Sequence, residues 1–557
     1  MGGASARWKG PRGDRMRGSA RLLGAAALMA AVAGFSDGRS RPALDVLIKG
    51  GTVYDGTLGE PFVADIGIKG DRIAAIGNLA GETAAEVIDA KGLVVAPGFI
   101  DVHNHSDMPF RLAGWLRLFA YIDPAWKGNH NYIFQGVTTI VTQNCGWGYP
   151  DINDWFGIVN SIRFGTNVYG LVSHGDIRNA LFGPENPQPL SPAQLELMKE
   201  RVAQEMRKGA IGMSVGLEYA PGCMATTDEL VELAKVVKKC GGIYATHIRD
   251  NTGTLLEDKQ FGVIKALKEA IEIGKRAAIP VHVSHLQINA PWNGLMAKDL
   301  LNLIEAARKE GVDITADAYA YNAGCTLITL LTPFKYRTSA GIRDEYKTPQ
   351  GKAELKKAVE ETFRYLGPDK VMINLFPGRK SYEGKTLREI ADAEKRDPAD
   401  LYVDIVTNSK KAPMCFYFDQ KEEIVEAIHP HPYVFTASDG WVVPKGSGVP
   451  HPRCYGNYPR KIREYVMNKK LMTLKDAIRS MTSLPAEKFR MNLRGKLAPG
   501  FYADITVFDP GAIRDKATYQ DPTQYSEGIV DLMVNGVLAI KDGKATSRRG
   551  GRALRSM

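Results

Sequence analysis

The sequence predicts an α/β protein, a (β/α)8 TIM-like barrel with a β-sandwich assembled from the N- and C-terminal segments. Between about residues 97 and 490, apolar β-type runs alternate with helical patterns, as they do in βα units. Short Gly-broken strands recur at both ends of the chain. Several apolar runs also finish directly in His, Cys or Asp, and functional residues of such barrels sit at the carboxyl ends of the strands.

Residues 1–42 are predicted to be a signal peptide and disordered leader. Basic residues precede the apolar stretch 22–32, and Ala31-Val32-Ala33 fits the small-x-small cleavage pattern, with cleavage after Ala33. The apolar run is shorter than the roughly 20 residues that span a bilayer. We therefore expect a periplasmic or secreted protein, with a basic disordered leader as the alternative reading. Met1 and Met16 both remain candidate starts.

The formal charge of +10 lies in the two ends of the chain. Residues 1–42 contain eight Lys/Arg and two Asp, and residues 541–557 contain six Lys/Arg and one Asp. The body between them is therefore close to neutral, which argues against a nucleic-acid partner. We expect 546–557 to be a solvated basic tail. No later segment is long and apolar enough to predict a membrane span.

The domain boundaries follow from these patterns. Segments 43–96 and 491–545 together form the predicted sandwich, and 97–490 form the predicted barrel. Residues 320–432 are too long for one crossover, so we expect an inserted lid or substrate-selecting subdomain there. The eight barrel strands are predicted at 94–102, 138–144, 168–173, 210–215, 243–247, 280–285, 313–318 and 434–438.

His103 and His105 follow the first of these runs directly. Residues i and i+2 of a strand point to the same side, so the two imidazoles converge on one point, an arrangement that suits zinc. A bare His-x-His is weak by itself, because surface histidines also occur at this spacing. The preceding buried-type strand strengthens it, as do the residues that end other strands in the same way, which are Cys145, His247, His285 and Asp439.

These motifs resemble the metal-dependent amidohydrolases, and within them the N-acyl-D-amino-acid deacylases, or D-aminoacylases. The resemblance extends over about residues 45–540. The cysteine after Gly-Val-Thr-Thr and the His-Pro-Arg after Ser-Asp-Gly are distinctive of this branch. The matching segments are PGFIDVHNHSD (97–107), GVTTIVTQNCG (136–146), SVGLEYAPG (214–222), SHL (284–286), SDG (438–440) and HPRCYG (451–456).

The resemblance implies a set of metal ligands. Cys145, His247 and His285 would hold a tightly bound Zn2+. His103 and His105 would form a second, weaker position, with Cys145 able to bridge the two.

Asp439 is the expected general acid/base beside the metal, and it is also a candidate ligand. A carboxylate there can take a proton from water and pass it to the leaving amine. The fourth strand, 210–216, lacks the lysine that bridges two metals in many other members of the superfamily. Its absence favours the cysteine-dependent branch over hydantoinase-like enzymes.

Four residues are candidates for substrate binding. By resemblance, Arg453 would grip a substrate carboxylate, since a guanidinium can bind a carboxylate through two hydrogen bonds. Tyr219 and Tyr319 match positions that line the family's pocket. Gln287 stands where the family commonly has a lysine that helps to bind the substrate carboxylate.

The leading hypothesis is therefore a zinc hydrolase that cleaves a linear amide bond, deacylating N-acyl-D-amino acids with Asp439 as general acid/base. The change at Gln287 keeps a dipeptidase or xenobiotic amidase open, and a cyclic-amide hydrolase on the same scaffold is another alternative. A non-enzymatic scaffold is the remote alternative. The expected partner is a small-molecule amide substrate.

Overall fold

A computed structural model describes residues 43–111, 115–183, 189–254, 256–289, 294–337, 341–410 and 412–556. The predicted signal peptide and leader lie outside these residues. Among the described helices, none has the length and apolar character needed to cross a membrane.

The strands and helices follow the chain in a regular alternation over its central part. The strands are β1 Leu44–Val53, β2 Phe62–Lys69, β3 Arg72–Gly77, β4 Ala84–Asp89, β5 Val94–Pro97, β6 Phe99–Asp101, β7 Val137–Thr142, β8 Asn167–Gly170, β9 Val172–Ser173, β10 Gly212–Gly216, β11 Ile243–His247, β12 Val281–Val283, β13 Ile314–Ala318, β14 Gly324–Leu327, β15 Val371–Leu375, β16 Lys385–Thr386, β17 Met414–Tyr417, β18 Val434–Thr436, β19 Ile505–Phe508, β20 Ile529–Val534, β21 Val537–Lys541 and β22 Lys544–Ala545. The helices are α1 Met108–Arg111, α2 Trp115–Ile122, α3 Pro124–Gly128, α4 His130–Ile133, α5 Ile152–Ile162, α6 His174–Phe182, α7 Pro192–Arg207, α8 Thr227–Lys239, α9 Gly262–Ala277, α10 Ala297–Lys309, α11 Pro349–Phe363, α12 Leu387–Glu394, α13 Pro398–Asn408, α14 Glu422–Ile428, α15 Arg453–Arg460, α16 Leu474–Met481 and α17 Ser483–Lys488.

Strands from the two ends of the chain share one nine-stranded sheet. Its order is β22-β21-β20-β19-β5-β1-β2-β3, and β4 pairs with β1. Strand β1 pairs with β2 and with two further strands. Its first part, 44–49, pairs with β4, whereas Thr52 and Val53 pair with β5. The sheet buries an apolar cluster drawn from both ends of the chain, including Ile66, Ile68, Ile505 and Val507.

Two further sheets are wholly parallel. One contains β6-β7-β8, and the other contains β9-β10-β11-β12-β13-β18, so neighbouring strands follow the order of the chain. Only Leu171 separates β8 from β9. At the other end of the series, the Asp439 amide donates to His103 O (2.9 Å) and the His105 amide donates to Gly440 O (2.7 Å). These bonds link the chain after β18 to the chain after β6.

The helices between the parallel strands cover them with amphipathic faces. Helix α8 is typical: the Thr226 side chain accepts a hydrogen bond from the Glu229 amide and caps its first turn. Its basic last turn, Lys238 and Lys239, complements the helix dipole. Its buried face packs into the largest apolar cluster of the protein through Leu230, Val231, Leu233, Ala234 and Val237.

The apolar run predicted as one strand, 94–102, is divided between two sheets. Strand β5 pairs with β19 in the nine-stranded sheet, and β6 pairs with β7 in a parallel sheet. The break falls at Gly98, where a Cβ atom would lie 2.1 Å from Thr138 Oγ1. Glycine is therefore required at the point where the chain passes from one sheet to the other.

The segment between β13 and β18 contains a small α/β unit of its own. Its antiparallel sheet has the order β14-β17-β15-β16, and helices α11, α12 and α13 pack beside it. A separate apolar cluster fills it, including Leu355, Ile390, Leu401 and Ile405. Helix α14 lies outside this cluster and contacts α10, so it belongs to the alternating pattern rather than to the insertion.

The end of the chain differs from the solvated tail expected at 546–557. The Val168 amide donates to Arg552 O (3.0 Å), and the Leu554 amide donates to Val168 O (2.8 Å). Farther on, the Ser556 amide donates to Gly209 O. The close approach requires glycine, since a Cβ on Gly551 would lie 2.1 Å from Thr166 O. Backbone hydrogen bonds therefore fix this basic segment against the rest of the protein, and it is not a solvated tail.

Candidate metal centre

The parallel strands bring together all six predicted ligand residues at their carboxyl ends. Five of them, which follow or end β6, β7, β11 and β12, are buried: His103, His105, Cys145, His247 and His285. The sixth, Asp439, follows β18 with a side chain that is 14% exposed. Their potential ligand atoms form overlapping groups of three, within which all atoms lie within 4.8 Å of one another.

One group contains Cys145, His247 and His285. His247 Nδ1 lies 3.6 Å from Cys145 Sγ and 2.8 Å from His285 Nε2. A thiol sulfur and two imidazole nitrogens directed at one point are a donor set that zinc prefers. These residues therefore fit a tightly held zinc ion.

The second group shares Cys145 with the first. His103 Nε2 lies 3.3 Å from Cys145 Sγ and 3.3 Å from Asp439 Oδ1. His105 Nε2 lies 3.2 Å from the same Asp439 oxygen. Cys145 therefore stands between two adjacent groups, so the residues present also fit a second metal position.

Three of these residues have a left-handed backbone. The φ angles are +54° at Cys145, +35° at His285 and +47° at Asp439. A non-glycine residue held in this region costs on the order of 1–3 kcal/mol. Close packing keeps Cys145 in place: a Cβ on Gly216 would lie 2.1 Å from Cys145 O. Packing thus maintains strained turns at the strand ends that carry these side chains.

The charges of the group stabilise one another. Burial raises the pKa of the Cys145 thiol, but the charge of His103 and hydrogen bonds from neighbouring histidines outweigh it and lower that pKa well below its usual value. Burial likewise raises the pKa of Asp439, and the charges of Arg453 and His103 bring it well below 3.8. Both residues therefore favour the anionic form, which is the form of cysteine that binds metals.

Two carboxylates that the sequence did not single out support the ligands from behind. Glu218 Oε2 lies 2.9 Å from His247 Nε2. Asp317 Oδ2 lies 3.4 Å from His103 Nδ1, and Asp317 Oδ1 accepts a hydrogen bond from the His285 amide (2.7 Å). A carboxylate at the second ring nitrogen, as Glu218 is for His247, fixes the tautomer and orientation of a ligand histidine, whereas Asp317 holds the backbone of His285. Glu218 follows β10 and Asp317 lies on β13, so the strand-end rule that found the ligands would also have found them.

A cavity of about 330 Å³ opens in front of these ligands. The side chains that line it beyond the metal group come from several loops and from the insertion, which contributes Cys325, Thr326, Leu327, Ala412 and Met414. Arg453 and Tyr219 also line this cavity, as the sequence predicts. The insertion therefore forms one wall of the site.

Arg453 is buried at the start of α15. Its Nη2 donates to Asp439 Oδ2 (2.9 Å), while Nε and Nη1 have no hydrogen-bond partner. Buried donors without partners are uncommon in native proteins, so they point to a ligand with acceptor oxygens. Tyr219 faces the same cavity, with its hydroxyl 2.9 Å from Thr326 Oγ1.

Tyr319 and Gln287 line a smaller pocket that shares His285 with the cavity. The Tyr319 hydroxyl donates to Gln287 Oε1 (2.6 Å), and Gln420 Nε2 donates to both of them. The Tyr319 ring lies 4.5 Å from the Arg453 guanidinium carbon. These polar groups thus form a hydrogen-bonded set beside His285 and Arg453. Through its ring, Tyr319 packs against the guanidinium of Arg453.

Comparisons with known proteins give relatives over nearly the full chain. A profile described as the amidohydrolase family matches residues 428–540. An N-acyl-D-glutamate deacylase from Alcaligenes xylosoxydans xylosoxydans is 33% identical over 92% of this chain and 96% of its own length. A D-aminoacylase from the same organism is 30% identical over 93% of this chain and 99% of its own length.

A solved structure is also similar to this chain over nearly the full length of both proteins. The N-acyl-D-glutamate deacylase from Bordetella bronchiseptica, in complex with zinc and a phosphonate inhibitor that mimics the tetrahedral intermediate, is 30% identical. It superposes with a TM-score of 0.77 and covers 92% of this chain and 100% of its own. The chain therefore belongs to the metal-dependent amidohydrolases, in the family that contains D-aminoacylase and N-acyl-D-glutamate deacylase.

Proposed function

We propose that this protein is a zinc-dependent hydrolase that deacylates N-acyl-D-amino acids. The observation that carries the proposal is the joint arrangement of a Cys/His metal group, an ionised Asp439 and an Arg453 with unpartnered donors, all in one cavity. The Cys/His metal group suits metal-assisted hydrolysis, and the unpartnered donors of Arg453 suit a substrate with a carboxylate. The names of the relatives supply the substrate class.

Zinc would be held most tightly by Cys145, His247 and His285, with His103 and His105 providing the second, weaker position. When bound, it supplies a Lewis acid that polarises a carbonyl and lowers the pKa of water to about 7. The left-handed backbone at Cys145 and His285 aims these side chains at this position.

Asp439 moves the proton in this reaction. Its Oδ1 lies 3.2–3.3 Å from the ring nitrogens of His103 and His105, so it borders the metal group. It accepts a proton from the attacking water as the water oxygen bonds to the amide carbon. It then delivers this proton to the amide nitrogen as the C–N bond breaks, which yields a carboxylate and a free amino acid.

Arg453 orients the substrate. The Asp439 contact fixes one guanidinium nitrogen, and the unpartnered Nε and Nη1 are available to the α-carboxylate of the amino acid. Because Arg453 and the general base touch, binding at Arg453 places the scissile bond beside Asp439. The carboxylate contact then contributes to both affinity and orientation.

We also propose that the two parallel sheets close into the (β/α)8 barrel expected from the sequence. The support is the chain order of neighbouring strands and the hydrogen bonds between 103–105 and 439–440 that link the last strand to the first. Export to the periplasm, suggested by the leader, remains a proposal. Processing at Ala33 in a cell fractionation experiment tests it, and recovery of unprocessed protein in the cytoplasm would refute it.

Hydrolysis of paired N-acetyl-D- and N-acetyl-L-amino acids by the zinc-loaded protein tests the function. We expect cleavage of the D series and its loss in Asp439→Asn, which keeps the shape of the side chain but cannot accept the proton. Full activity of Asp439→Asn would refute the proposed base. Cleavage of the L series alone would refute the substrate class.

A further inference from the structure

A buried histidine outside the ligand group lies on β12, just before the ligand His285. This residue, His282, is 1% exposed. Its ring stacks on Phe435, with 5.0 Å between centroids, and meets the edge of Phe489 at 5.3 Å. Both phenylalanines belong to an apolar cluster inside the parallel strands. Polar ring nitrogens in such surroundings cost free energy unless they are hydrogen-bonded, so the partners of His282 define its role.

Both ring nitrogens of His282 have partners on β13. Nε2 lies 2.8 Å from Asp317 Oδ2, and Nδ1 lies 3.0 Å from Thr315 Oγ1. Burial lowers the pKa of His282, so the ring is neutral and carries one N–H. A carboxylate can only accept, which places this proton on Nε2 as the donor to Asp317. Nδ1 then accepts from the Thr315 hydroxyl, whose contact with Val281 O is longer at 3.3 Å.

Two donors fix the carboxylate of Asp317, one on each oxygen. His282 Nε2 donates to Oδ2, and the His285 amide donates to Oδ1 (2.7 Å). Rotation of a carboxylate about its terminal bond is otherwise broad, so both bonds are needed to set its plane. The same Oδ2 lies 3.4 Å from His103 Nδ1, a buried atom with no hydrogen-bond partner in the part of the chain that the structure describes. The position of Oδ2 therefore decides whether the His103 Nδ1 proton has an acceptor.

The opposite nitrogen of His103 belongs to the metal centre. Its Nε2 lies 3.3 Å from Cys145 Sγ and 3.3 Å from Asp439 Oδ1. A carboxylate that accepts the proton of one ring nitrogen leaves the lone pair of the other nitrogen for a metal and fixes the ring orientation. A line of contacts thus runs from His282 through Asp317 to the ligand atom of His103.

We infer that His282 is a positioning residue of the metal centre, which acts through Asp317 to orient His103 in the second, weaker metal position. The inference rests on the proposed zinc-dependent function and deepens it. His282 belongs neither to the metal groups nor to the residues that line the cavity, so its contribution passes through the Asp317 contact.

Two substitutions of His282 separate this contact from packing. His282→Gln places an amide N–H near the position of Nε2 and keeps a donor for Asp317. His282→Asn has a shorter side chain, so its amide lies near the position of Nδ1 and reaches only Thr315. Both variants lose the ring that stacks on Phe435, and they should lower the thermal unfolding midpoint of the zinc-free protein by similar amounts.

The measurement is competition for zinc between the full chain and a chromophoric chelator, at one and at two equivalents of zinc. We expect His282→Asn to lower the affinity for the second zinc by about 10-fold, the lower end of the effect of losing support behind a ligand histidine. The first zinc should be nearly unaffected, because Asp317 reaches its ligand group only through the backbone of His285. His282→Gln should remain near the wild type at both steps.

Each other outcome overturns the inference. Unchanged affinity for the second zinc in His282→Asn removes the positioning role, and equal losses in both variants assign the effect to packing. A wild type that binds a single zinc removes the second position itself. If His282→Asn does not fold, histidine-selective nitrogen NMR of the wild type decides, with the His282→Gln spectrum identifying the signal. The inference requires the His282 proton on Nε2, and a proton on Nδ1 overturns it.

The proposed function is tested separately by hydrolysis of N-acetyl-D-amino acids by the wild type. A failure to cleave them would overturn that function and leave the zinc affinities of the variants to be read by themselves. Normal cleavage together with an unchanged second zinc affinity in His282→Asn would overturn only the role of His282.

Discussion

Replacing Glu218 by glutamine should weaken zinc binding without unfolding the protein. In the structure, Glu218 Oε2 lies 2.9 Å from His247 Nε2, and His247 is buried with its Nδ1 directed at Cys145 and His285. The carboxylate thus accepts the Nε2 proton, leaves the Nδ1 lone pair for the metal, and raises the basicity of the ring. Glutamine keeps the size of the side chain and an acceptor oxygen but removes the negative charge.

The size of the effect follows from this single contact. Loss of a carboxylate that supports a ligand histidine lowers metal affinity by about 10–100-fold. A tenfold change corresponds to about 1.4 kcal/mol, so the expected loss is about 1.4–2.8 kcal/mol. We expect the lower half of this range for Glu218→Gln, because the amide oxygen can still accept the ring proton.

The assay is competition for zinc between the protein and a chromophoric chelator, together with thermal unfolding of the zinc-free protein. Glu229→Gln is the matched control, since Glu229 Oε1 lies 3.2 Å from His174 Nε2, a histidine outside the metal group. That control should lower stability and leave zinc affinity unchanged. Equal zinc affinity in Glu218→Gln and the wild type would refute the supporting role of Glu218.

Two further predictions concern stability. Lys461 is buried, its Nζ donates to Thr436 Oγ1 and Ser480 Oγ, and burial lowers its pKa to about 7. Because the unfolded chain binds this proton below about pH 10 and the folded chain only below about 7, Lys461 makes stability rise with pH between these values. Lys461→Met should flatten that rise by a few kcal/mol in urea unfolding at pH 7 and pH 10, and an unchanged slope would contradict the assignment. Deletion of residues 549–557 removes the hydrogen bonds to Val168 and Gly209 and should lower the midpoint of thermal unfolding by several degrees, whereas a solvated tail could be removed without effect.

Much of the site could be predicted because its ligands share one local rule. Each follows or ends an apolar strand, and parallel strands converge at their carboxyl ends. The supporting carboxylates obey the same rule, yet their partners lie 29 residues away for Glu218 and 32 for the Asp317 contact with His285. No local pattern specifies such pairs, since they depend on how neighbouring strands are placed.

The remaining differences have the same origin. Gln287 is expected from the sequence to contact the substrate, and the structure adds a hydrogen bond to its amide oxygen from Tyr319, a residue on another loop that sequence spacing does not reveal. The run 94–102 looks continuous in sequence, yet Gly98 sends its two halves to different sheets. The charge of the basic C-terminal segment predicts a solvated tail. Its backbone hydrogen bonds with Val168 cannot be predicted from that charge.

The insertion contributes to the cavity from a separate hydrophobic core. Leu327 and Met414 belong to a sheet that packs on its own apolar cluster, while the ligand histidines are anchored in the parallel strands. A substitution at Leu327 or Met414 changes the polarity of the cavity wall at residues outside the metal group. The ligand residues and this wall of the cavity therefore rest on separate cores, which meet where the Tyr219 hydroxyl lies 2.9 Å from Thr326 Oγ1. Exchanging the insertion between relatives would be a direct way to redesign specificity while retaining the same chemistry.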